Sequence, residues 1–474
     1  MSTLSPLPKL PPAPLAALAL LALLAGCATQ SGTPAAPDGY AAYVLMGESG
    51  AVARVVLDAP ACPAITVDGA SGPMALRAAP ATLPLRPNAS KGDAKPSAFP
   101  LRVCEAALPP GAASASVLGR ALPLPRAEPR RIVVIGDTGC RMKESGNEYQ
   151  DCNDPQAYPF AAVAAAAAAW RPDLVVHVGD YAYRESPCPD GRAGCAGSPY
   201  GYGWDVWRAD FFAPAAALLS AAPWVVARGN HESCERAGQG WWRLLDPRPL
   251  QAGRDCADPA RDADANYSDP YAVSLGGGAQ LLVADTAATT WKGLQPGDTG
   301  YEQYRAAYRR LDALSQQAPW NIAVTHHPIL GVGAEVKPDG AFEWHLGDLG
   351  LQQSFGSLNP LLLPAQVQAL LSGHVHLWQQ LSFASPHPTQ FVAGFSGTAE
   401  DMAPLPASLP PGVAPAPGAV ADQFSTWIGG FGFMAMERGA PGVWTVTVHD
   451  RLGAIKNRCR ISGRRSACSV TQVQ

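Results

Sequence analysis

The sequence has little net charge, no closely spaced cysteine motif and no hydrophobic run long enough to span a bilayer comfortably. Its net charge is -4 over 474 residues, so no basic field indicates a nucleic-acid partner. None of its 11 cysteines forms a Cys-x-x-Cys pair that would indicate a zinc site. The apolar run from Leu15 to Leu24 is shorter than the roughly 20 residues of a transmembrane helix. We also find no internal repeat.

A targeting segment is predicted at the N-terminus. Lys9 precedes the apolar run, and Leu24-Ala25-Gly26-Cys27 follows it, which resembles a bacterial lipobox. We expect a lipoprotein signal peptide over residues 1–26, lipidation of Cys27 and a flexible tether over residues 27–39. Ala28 stands where an Asp would signal inner-membrane retention, so we expect an exported outer-membrane lipoprotein that faces the periplasm or the cell surface. An ordinary secretory signal with a chance cysteine is the alternative.

The remaining cysteines support export to an oxidising compartment. They are even in number and fall into neighbouring pairs. Sequence alone does not fix the connectivity, and we take sequential pairing as the hypothesis. The predicted pairs are Cys62 with Cys104, Cys140 with Cys152, Cys188 with Cys195, Cys234 with Cys256, and Cys459 with Cys468.

The predicted secondary structure changes near residue 130. Residues 40–125 carry short strand patterns separated by Gly, Pro and Asn, and they predict a small β domain without histidine. After a Pro-rich linker, residues 131–450 alternate strand and helix patterns, which is typical of α/β layers. Residues 451–474 form a C-terminal extension with a cysteine pair. Helices are predicted over 158–170, 205–220, 301–317 and 364–371, and an irregular loop over 403–419.

Five short motifs in the second region carry potential metal ligands, and most of them follow a β-branched run. A Gly at a strand end lets the backbone turn sharply, so that the next side chain projects above the edge of the sheet. Any one of these motifs is weak evidence, whereas all of them in order argue for a two-metal phosphoester hydrolase. The motifs are Gly136-Asp137-Thr138-Gly139, Gly179-Asp180-Tyr181-Ala182-Tyr183, Gly229-Asn230-His231-Glu232, Thr325-His326-His327-Pro328 and Gly373-His374-Val375-His376.

This set resembles the calcineurin-like metallophosphoesterase superfamily, and within it the purple acid phosphatases. Most of the superfamily has a ligand His in the first motif, where this chain has Gly139. The purple enzymes lack that His and add a Tyr three residues after the second Asp, which is the position of Tyr183. The resemblance implies a four-layer αββα sandwich preceded by the small N-terminal β domain.

The resemblance also implies two metal sites that share Asp180. One set comprises Asp137, Asp180, Tyr183 and His376, and the other comprises Asp180, Asn230, His326 and His374. A phenolate favours Fe(III) in the first site, and Asn with two His suits Zn(II), Fe(II) or Mn(II) in the second. Metal-bound hydroxide would then attack the phosphorus in line with the leaving group.

Histidines outside the ligand set receive separate interpretations. The family pattern assigns His231 to phosphate binding and to protonation of the leaving oxygen. The pattern selects His326 over His327 as the ligand, which leaves His327 near the substrate or merely exposed. His345 is either a substrate contact or an unrelated loop residue. His177 is interpreted as a core residue and Glu232 as a structural one.

Three functions are compatible with these motifs. The leading prediction is a phosphomonoesterase of the purple acid phosphatase type that acts on a small phosphorylated substrate and has no nucleic-acid partner. A phosphodiesterase or nucleotide pyrophosphatase on the same scaffold is the second. A non-catalytic surface lipoprotein is the third, and the presence of every expected ligand argues against it.

Overall fold

A computed structural model describes residues 40–86, 93–400 and 402–473. The predicted signal peptide, the tether and Cys27 lie outside these residues. Within the described ranges, no helix combines the length and the apolar character that crossing a membrane requires.

The N-terminal region consists of short strands, as its sequence predicts. The strands are β1 Ala41–Gly47, β2 Gly50–Leu57, β3 Ala64–Val67, β4 Ala70–Pro73, β5 Ala75–Ala78, β6 Ala81–Leu83, β7 Ser97–Phe99, β8 Arg102–Ala107, β9 Ala115–Val117 and β10 Arg120–Ala121.

The next part of the chain alternates strands and helices. Its elements are β11 Arg131–Ile135, β12 Met142–Lys143, β13 Glu148–Tyr149, α1 Phe160–Ala169, β14 Leu174–His177, α2 Trp204–Trp207, α3 Ala216–Leu219, β15 Trp224–Val226, α4 Gly238–Leu244 and α5 Asp262–Ala265. A π-helical turn, Arg208–Phe212, separates α2 from α3.

Strands dominate the C-terminal half. Its elements are β16 Tyr271–Ser274, β17 Ala279–Val283, α6 Thr299–Ser315, β18 Trp320–Val324, β19 Val332–Val336, β20 Phe342–Leu346, α7 Leu349–Gly356, β21 Val367–Ser372, β22 Trp378–Phe383, β23 Thr389–Ala393, β24 Ala421–Trp427, β25 Gly432–Arg438, β26 Val443–Asp450, β27 Ile455–Ser462 and β28 Arg465–Cys468.

Two large mixed sheets form the centre of the molecule. The first has 11 strands in the order β28-β27-β26-β25-β11-β14-β15-β1-β2-β8-β5. The second has 7 strands in the order β16-β17-β18-β21-β23-β22-β24. Parallel pairing of β11, β14 and β15 in one sheet, and of β17, β18, β21 and β23 in the other, brings their carboxyl ends to common edges.

The predicted four-layer αββα sandwich is confirmed by how the strands divide their side chains. In β11, Ile132 and Val134 belong to the core between the two sheets, whereas Val133 and Ile135 face a second core with Phe160 of α1. This period of two is what a strand buried on both faces produces. A third core joins the outer face of the second sheet to α6 and α7. In α6 the buried residues recur every three or four positions, as expected for one helix face.

Two of the predicted helices differ in the structure. Residues 364–371 were expected to be helical, but Val367–Ser372 is strand β21. Its parallel pairing with β18 and β23 overrides the helical preference of its Leu and Ala residues. The helix expected over 205–220 is interrupted by the π-helical turn. The loop expected over 403–419 contains no helix or strand within the described residues.

The N-terminal β region continues the first large sheet. Strand β1 pairs in parallel with β15, and β2, β8 and β5 follow it outward. The chain from Asp38 to Gln474 accordingly forms one compact unit, so the expected boundary at residue 125 marks no break in the sheet. The boundary expected at residue 450 falls within the hairpin of β26 and β27.

A cluster of charged side chains connects the N-terminal β region to the end of α4, and we call it the arginine cluster. It comprises Arg54, Arg77, Glu105, Asp246 and Arg248. Arg77 donates from every side-chain nitrogen: to carbonyls of residues 242, 243, 246 and 248 at 2.5–3.0 Å and to the Glu105 carboxylate at 2.9 Å. Arg54 donates to the same carboxylate at 2.7 Å and to the Leu244 carbonyl at 2.9 Å. These bonds satisfy carbonyls that a helix end leaves unpaired.

The sequential disulfide pairing is confirmed. All five predicted pairs are bonded, and the Cα atoms of each pair lie 3.9–5.7 Å apart. Three of the bridges follow directly after the first three motifs and close loops there.

Candidate metal centre

The predicted ligands meet where parallel strands end. Asp137 follows β11, Asp180 follows β14 and Asn230 follows β15, while His326 and His374 follow β18 and β21 of the other sheet. Asp137, Asp180 and His374 have left-handed backbone, with φ of 54°, 60° and 70°. Such a conformation costs on the order of 1 kcal/mol for a residue other than Gly, and it concentrates at functional sites.

Asp137, Asp180 and His376 surround the hydroxyl of Tyr183. The Tyr183 oxygen lies 3.0 Å from Asp137 Oδ1, 2.8 Å from Asp180 Oδ2 and 3.0 Å from His376 Nε2. His376 Nε2 is also 3.3 Å from Asp137 Oδ1. These four side chains are almost fully buried, so their charges are poorly screened.

A second set of side chains adjoins the first through Asp180. Asn230 Oδ1 lies 3.0 Å from both His326 Nε2 and His374 Nδ1. His326 Nε2 is 3.1 Å from Asp180 Oδ2. The structure therefore brings all of the predicted ligands together and places the Asp180 carboxylate between both sets. Their role as ligands stays a prediction.

The protons in this cluster do not match the number of acceptors. The Tyr183 hydroxyl has one proton, yet carboxylate oxygens of both Asp137 and Asp180 lie within 3.0 Å of it. His326 donates from Nδ1 to the Val178 carbonyl at 2.9 Å, which leaves the Nε2 lone pair facing the oxygens of Asn230 and Asp180. Cations between these atoms resolve the mismatch, and carboxylate, phenolate, amide oxygen and imidazole are all metal ligands. The residues fit a metal centre.

The pKa of His326 reflects the same mismatch. Burial lowers the pKa of this imidazole, but the charge of Asp180 and the hydrogen bond to it outweigh burial and raise the pKa to about 9. The cluster thus favours a positive charge beside the Asp180 carboxylate.

The structure explains why Gly139 and Tyr183 occur together. A Cβ on Gly139 would lie 2.9 Å from Tyr183 Cδ2, 2.8 Å from the Tyr181 carbonyl oxygen and 2.9 Å from Asp210 Oδ2. All three separations are too short for a real side chain, so the Tyr183 ring occupies the space into which a residue at 139 would project. Any side chain at position 139 would meet the Tyr183 ring, the Tyr181 carbonyl and the Asp210 carboxylate.

Asp210 connects the first two motifs through hydrogen bonds, and no sequence pattern predicted this role. Its Oδ1 accepts from the Cys140 amide at 3.1 Å and from Arg184 Nε at 2.6 Å, and its Oδ2 accepts from the Tyr183 amide at 2.8 Å. The carboxylate is fully buried. It reaches this position from the π-helical turn, a feature often found at functional sites.

His231 lines the cavity beside Tyr183. Its ring stacks on Tyr183 with centroids 3.7 Å apart. Nδ1 lies 3.2 Å from both the Ala182 carbonyl oxygen and Glu185 Oε1, so its N–H faces two acceptors and the Nε2 lone pair is left on the side of Asp180, 3.9 Å from Oδ2. Burial lowers the pKa of His231, and the nearby charge of Arg236 lowers it further. Glu185 had not been identified from the sequence.

The remaining histidines lie in different surroundings. His327 Nδ1 is 3.3 Å from Thr286 Oγ1, and the His327 ring lies 4.2 Å from that of His374, so it stands beside the ligand set. His345 lies on β20, where Nε2 is 3.3 Å from Glu335 Oε1 and the side chain is 43% exposed. His177 is fully buried and stacks on Tyr181, as interpreted.

Glu232 has a structural role, as its interpretation required. Its carboxylate accepts from the backbone amides of Gly229, Asp180, Tyr181 and Ala182 at 2.8–3.3 Å. It therefore ties the turn after β14 to the turn after β15.

A cavity of about 650 Å³ opens onto this centre. It is lined in part by the ligand set and by His231, with Arg141, Lys143, Glu148 and Arg236 beside them. The size lies within the range of small-molecule sites. Trp241 and Trp242, which follow the third motif, are buried and pack the loop.

Comparison with known proteins agrees with this geometry. The calcineurin-like phosphoesterase family model matches residues 130–377, which include every predicted ligand. The chain is similar to probable inactive purple acid phosphatase 27 of Arabidopsis thaliana, with 26% identity over 53% of this chain and 36% of the relative. It is also similar to probable purple acid phosphatase 20 of Arabidopsis thaliana, with 23% identity over 39% of this chain and 40% of the relative.

The chain thus spans well under half the length of these curated relatives. Among solved structures, a purple acid phosphatase isolated from yellow lupin (Lupinus luteus) seeds superimposes with a TM-score of 0.53 at 16% identity. The match covers 90% of this chain and 73% of the lupin chain, and at that identity it shows a common fold.

Proposed function

The chain belongs to the calcineurin-like phosphoesterase family, and we propose that it is a two-metal phosphomonoesterase of the purple acid phosphatase type. The observation that carries the proposal is the Tyr183 hydroxyl, which lies within 3.0 Å of Asp137, Asp180 and His376. The space beside Gly139 leaves no room for the His that most of the superfamily uses there. The chain therefore has the coupled pair of residues that distinguishes the purple subgroup.

The donor sets suggest which metals would be held. A buried phenolate with two carboxylates and one imidazole suits Fe(III), while an amide oxygen with two imidazoles and the shared carboxylate suits Zn(II), Fe(II) or Mn(II). When bound, the ions would supply Lewis acidity and activate water.

The side chains of the protein supply orientation and a proton. Glu185 accepts from His231 Nδ1, and this fixes the tautomer in which Nε2 faces the cavity. Arg236 lies 2.6 Å from Glu185 and keeps that carboxylate in place. When Nε2 takes up a proton, an imidazole held in this way can donate a hydrogen bond to a phosphoryl oxygen and then pass that proton to the oxygen of the leaving group.

The decisive experiment combines metal analysis, a visible spectrum and a phosphate-release assay on the full chain. We expect one iron and a second divalent metal per molecule, a tyrosinate-to-Fe(III) absorption band, and hydrolysis of aryl phosphate monoesters. Tyr183→Phe should lose the band, whereas Tyr181→Phe, in which a tyrosine bound to the Ala227 carbonyl is altered, should keep it. An oxidised, iron-loaded protein without the band would contradict the purple assignment.

We also propose that the protein is exported and anchored to the outer membrane through Cys27. Five disulfides support an oxidising compartment. Radiolabelled palmitate should enter the wild-type protein and should not enter Cys27→Ser. Equal labelling of the two proteins, or labelling of neither, would contradict the anchor.

A further inference from the structure

The C-terminal hairpin concentrates positive charge. Residues 451–474 contain six Lys or Arg and no Asp or Glu, in a chain whose net charge is -4. Most of these cations lie on β27, on β28 and in the turn between the two strands. The proposed phosphatase function uses none of them. The six are Arg451, Lys456, Arg458, Arg460, Arg464 and Arg465.

Two of these cations share the outer face of the first large sheet. Cys459 and Ile461 of β27 belong to the core between the two sheets. Because side chains alternate along a strand, Arg458 and Arg460 face the opposite way. Both are exposed, and each stands opposite a threonine of β26. No acidic side chain therefore lies directly across from them on that strand.

The fold does not use the side chains of Arg458 and Arg460. The neighbouring Arg465 pairs with a carboxylate of β24, and Arg464 donates to a backbone carbonyl. By contrast, within the described part of the chain, neither Arg458 nor Arg460 has an ion pair or a side-chain hydrogen bond. Glu437, two strands away on β25, lies 3.9 Å from Arg131. Two guanidinium groups on one flat face are thus available to an anion.

Exposed apolar side chains lie beside these arginines. Ile455 stands opposite His449, on the same face of the sheet, and is 44% exposed. Leu452, in the turn that precedes β27, is 77% exposed. Asp450 Oδ1 accepts from the Leu452 and Ala454 amides at 3.0 and 2.9 Å, which fixes this turn. Cations next to protruding apolar side chains suit a lipid surface, which offers phosphates and an apolar layer below them.

Protection of the sheet edge does not account for this arrangement. Charged side chains on an edge strand discourage pairing with other chains. The edge strand is β28, whereas Arg458 and Arg460 lie on β27, one strand further in. Exposed apolar side chains such as Leu452 would also work against that role, because they promote association.

We propose that the face formed by Leu452, Ile455, Arg458 and Arg460, which we call the basic face, binds a membrane surface that contains anionic phospholipid. The guanidinium groups donate to the lipid phosphates through charge-assisted hydrogen bonds. Leu452 and Ile455 enter the headgroup layer. This contact goes beyond the proposed phosphatase function and depends neither on that function nor on lipidation of Cys27.

The test measures how the full chain with Cys27→Ser partitions into vesicles. One kind of vesicle is phosphatidylcholine alone, and the other is two parts phosphatidylcholine to one part phosphatidylglycerol. The ratio of the two partition coefficients reports attraction to the anionic lipid. The double variant Arg458→Gln with Arg460→Gln should lower this ratio at least tenfold, and added salt should lower it in the parent protein.

A matched control removes two exposed arginines from other parts of the surface. Arg309 is exposed on α6, and Arg261 forms an ion pair with Asp264 in which both side chains are more than half exposed. The double variant Arg261→Gln with Arg309→Gln should change the ratio less than twofold. An equal loss of attraction in the control, or no loss in the Arg458 and Arg460 variant, would overturn the basic face.

Leu452→Ser tests the apolar part of the contact. It should lower partitioning into both kinds of vesicle by about threefold, because less apolar surface enters the headgroup layer. Tighter binding of a double-stranded oligonucleotide than of the anionic vesicles would assign the face to nucleic acid and overturn the lipid contact. Phosphate release is measured on the same variants and should be unchanged, so a failure of the membrane contact leaves the phosphatase proposal standing.

Discussion

The metal centre and the arginine cluster at the end of α4 both bury charged groups, but they treat hydrogen bonds in opposite ways. In the arginine cluster, every nitrogen of Arg77 donates to a carbonyl or a carboxylate. In the metal centre, the single proton of Tyr183 faces two carboxylate oxygens, and Nε2 of His326 faces two more oxygens. The chain itself satisfies the arginine cluster except at Arg54 Nε, whereas the metal centre brings together groups that suit cations.

This difference in hydrogen bonding distinguishes a structural cluster from a functional one, and it requires no comparison with related proteins. A buried cluster whose donors and acceptors match stabilises the fold and binds nothing further. A buried cluster whose acceptors outnumber its protons costs free energy until a cation enters it. The second kind also contains the left-handed Asp137, Asp180 and His374, and this strain has to be offset by the rest of the structure.

The largest expected effect comes from Asp180→Asn, which changes the group shared by both metal sets. We expect kcat/KM for phosphate release to fall at least a thousandfold, or about 4 kcal/mol in transition-state stabilisation. The metal-free variant should lose only a modest part of its stability, because Asp180 pairs with His326 but Asn keeps an oxygen that can accept from the His231 amide. Urea unfolding of both metal-free proteins measures this, and full retained activity would defeat the two-metal proposal.

Arg77→Met should have the opposite effect, a loss of stability without a loss of activity. The variant leaves several buried carbonyls and the Glu105 carboxylate without their main donor, so we expect a loss of about 3 kcal/mol in the free energy of unfolding. The folded fraction should retain its kcat/KM. Arg102→Met is the control: the Arg102 guanidinium bonds only carbonyls near the surface, and its loss should be below 1 kcal/mol. Similar losses for the two variants would remove the distinction between the clusters.

Gly139→Ala should lower both the stability of the fold and the affinity for metal. The added Cβ would lie 2.9 Å from Tyr183 Cδ2, and such overpacking costs about 1–3 kcal/mol. Metal titration should show weaker binding in the set that contains Tyr183. At Gly72 a Cβ meets nothing within 4 Å, so Gly72→Ala should change neither stability nor metal binding. Wild-type iron binding in Gly139→Ala would show that Tyr183 has room to move.

The smallest expected effect is the stability that the arginine cluster loses at low pH. Burial by itself raises the pKa of Asp246, but Arg248 and Arg77 outweigh burial and hold the pKa below its ordinary value of 3.8. The stability due to this ionised carboxylate is therefore present above pH 3.8 and is lost as pH falls through the lower folded-state pKa. Urea unfolding of the metal-free protein at pH 5 and pH 3 should show a larger drop for the wild type than for Asp246→Asn. Equal drops would contradict this account.

The sequence predicted the site better than its surroundings. Asp137, Asp180, Asn230, His326 and His374 follow strand patterns directly, so their convergence could be inferred from local order. The four-layer fold followed from alternation and from the resemblance, and the disulfides followed from spacing. By contrast, the position of Asp210 depends on a helix that changes to a π-helical turn, and no local pattern signals that change.

Other features depended on contacts between distant segments. Strand β21 was predicted to be helical because its own residues favour a helix, while its neighbours β18 and β23 impose the strand. The role of Glu185 depends on its contacts with Arg236 and His231, which the sequence does not reveal.

The parallel pairing of β1 with β15 also has a consequence for how the chain folds. Strand β1 is synthesised before β15, and Leu45 pairs with Trp224, which follows far later in the chain. Until β15 is available, the edge of β1 has no partner from that side and can pair with other molecules. Contacts of such long sequence separation also slow folding. A nascent chain of this protein therefore needs protection at its first strand until its middle has been made.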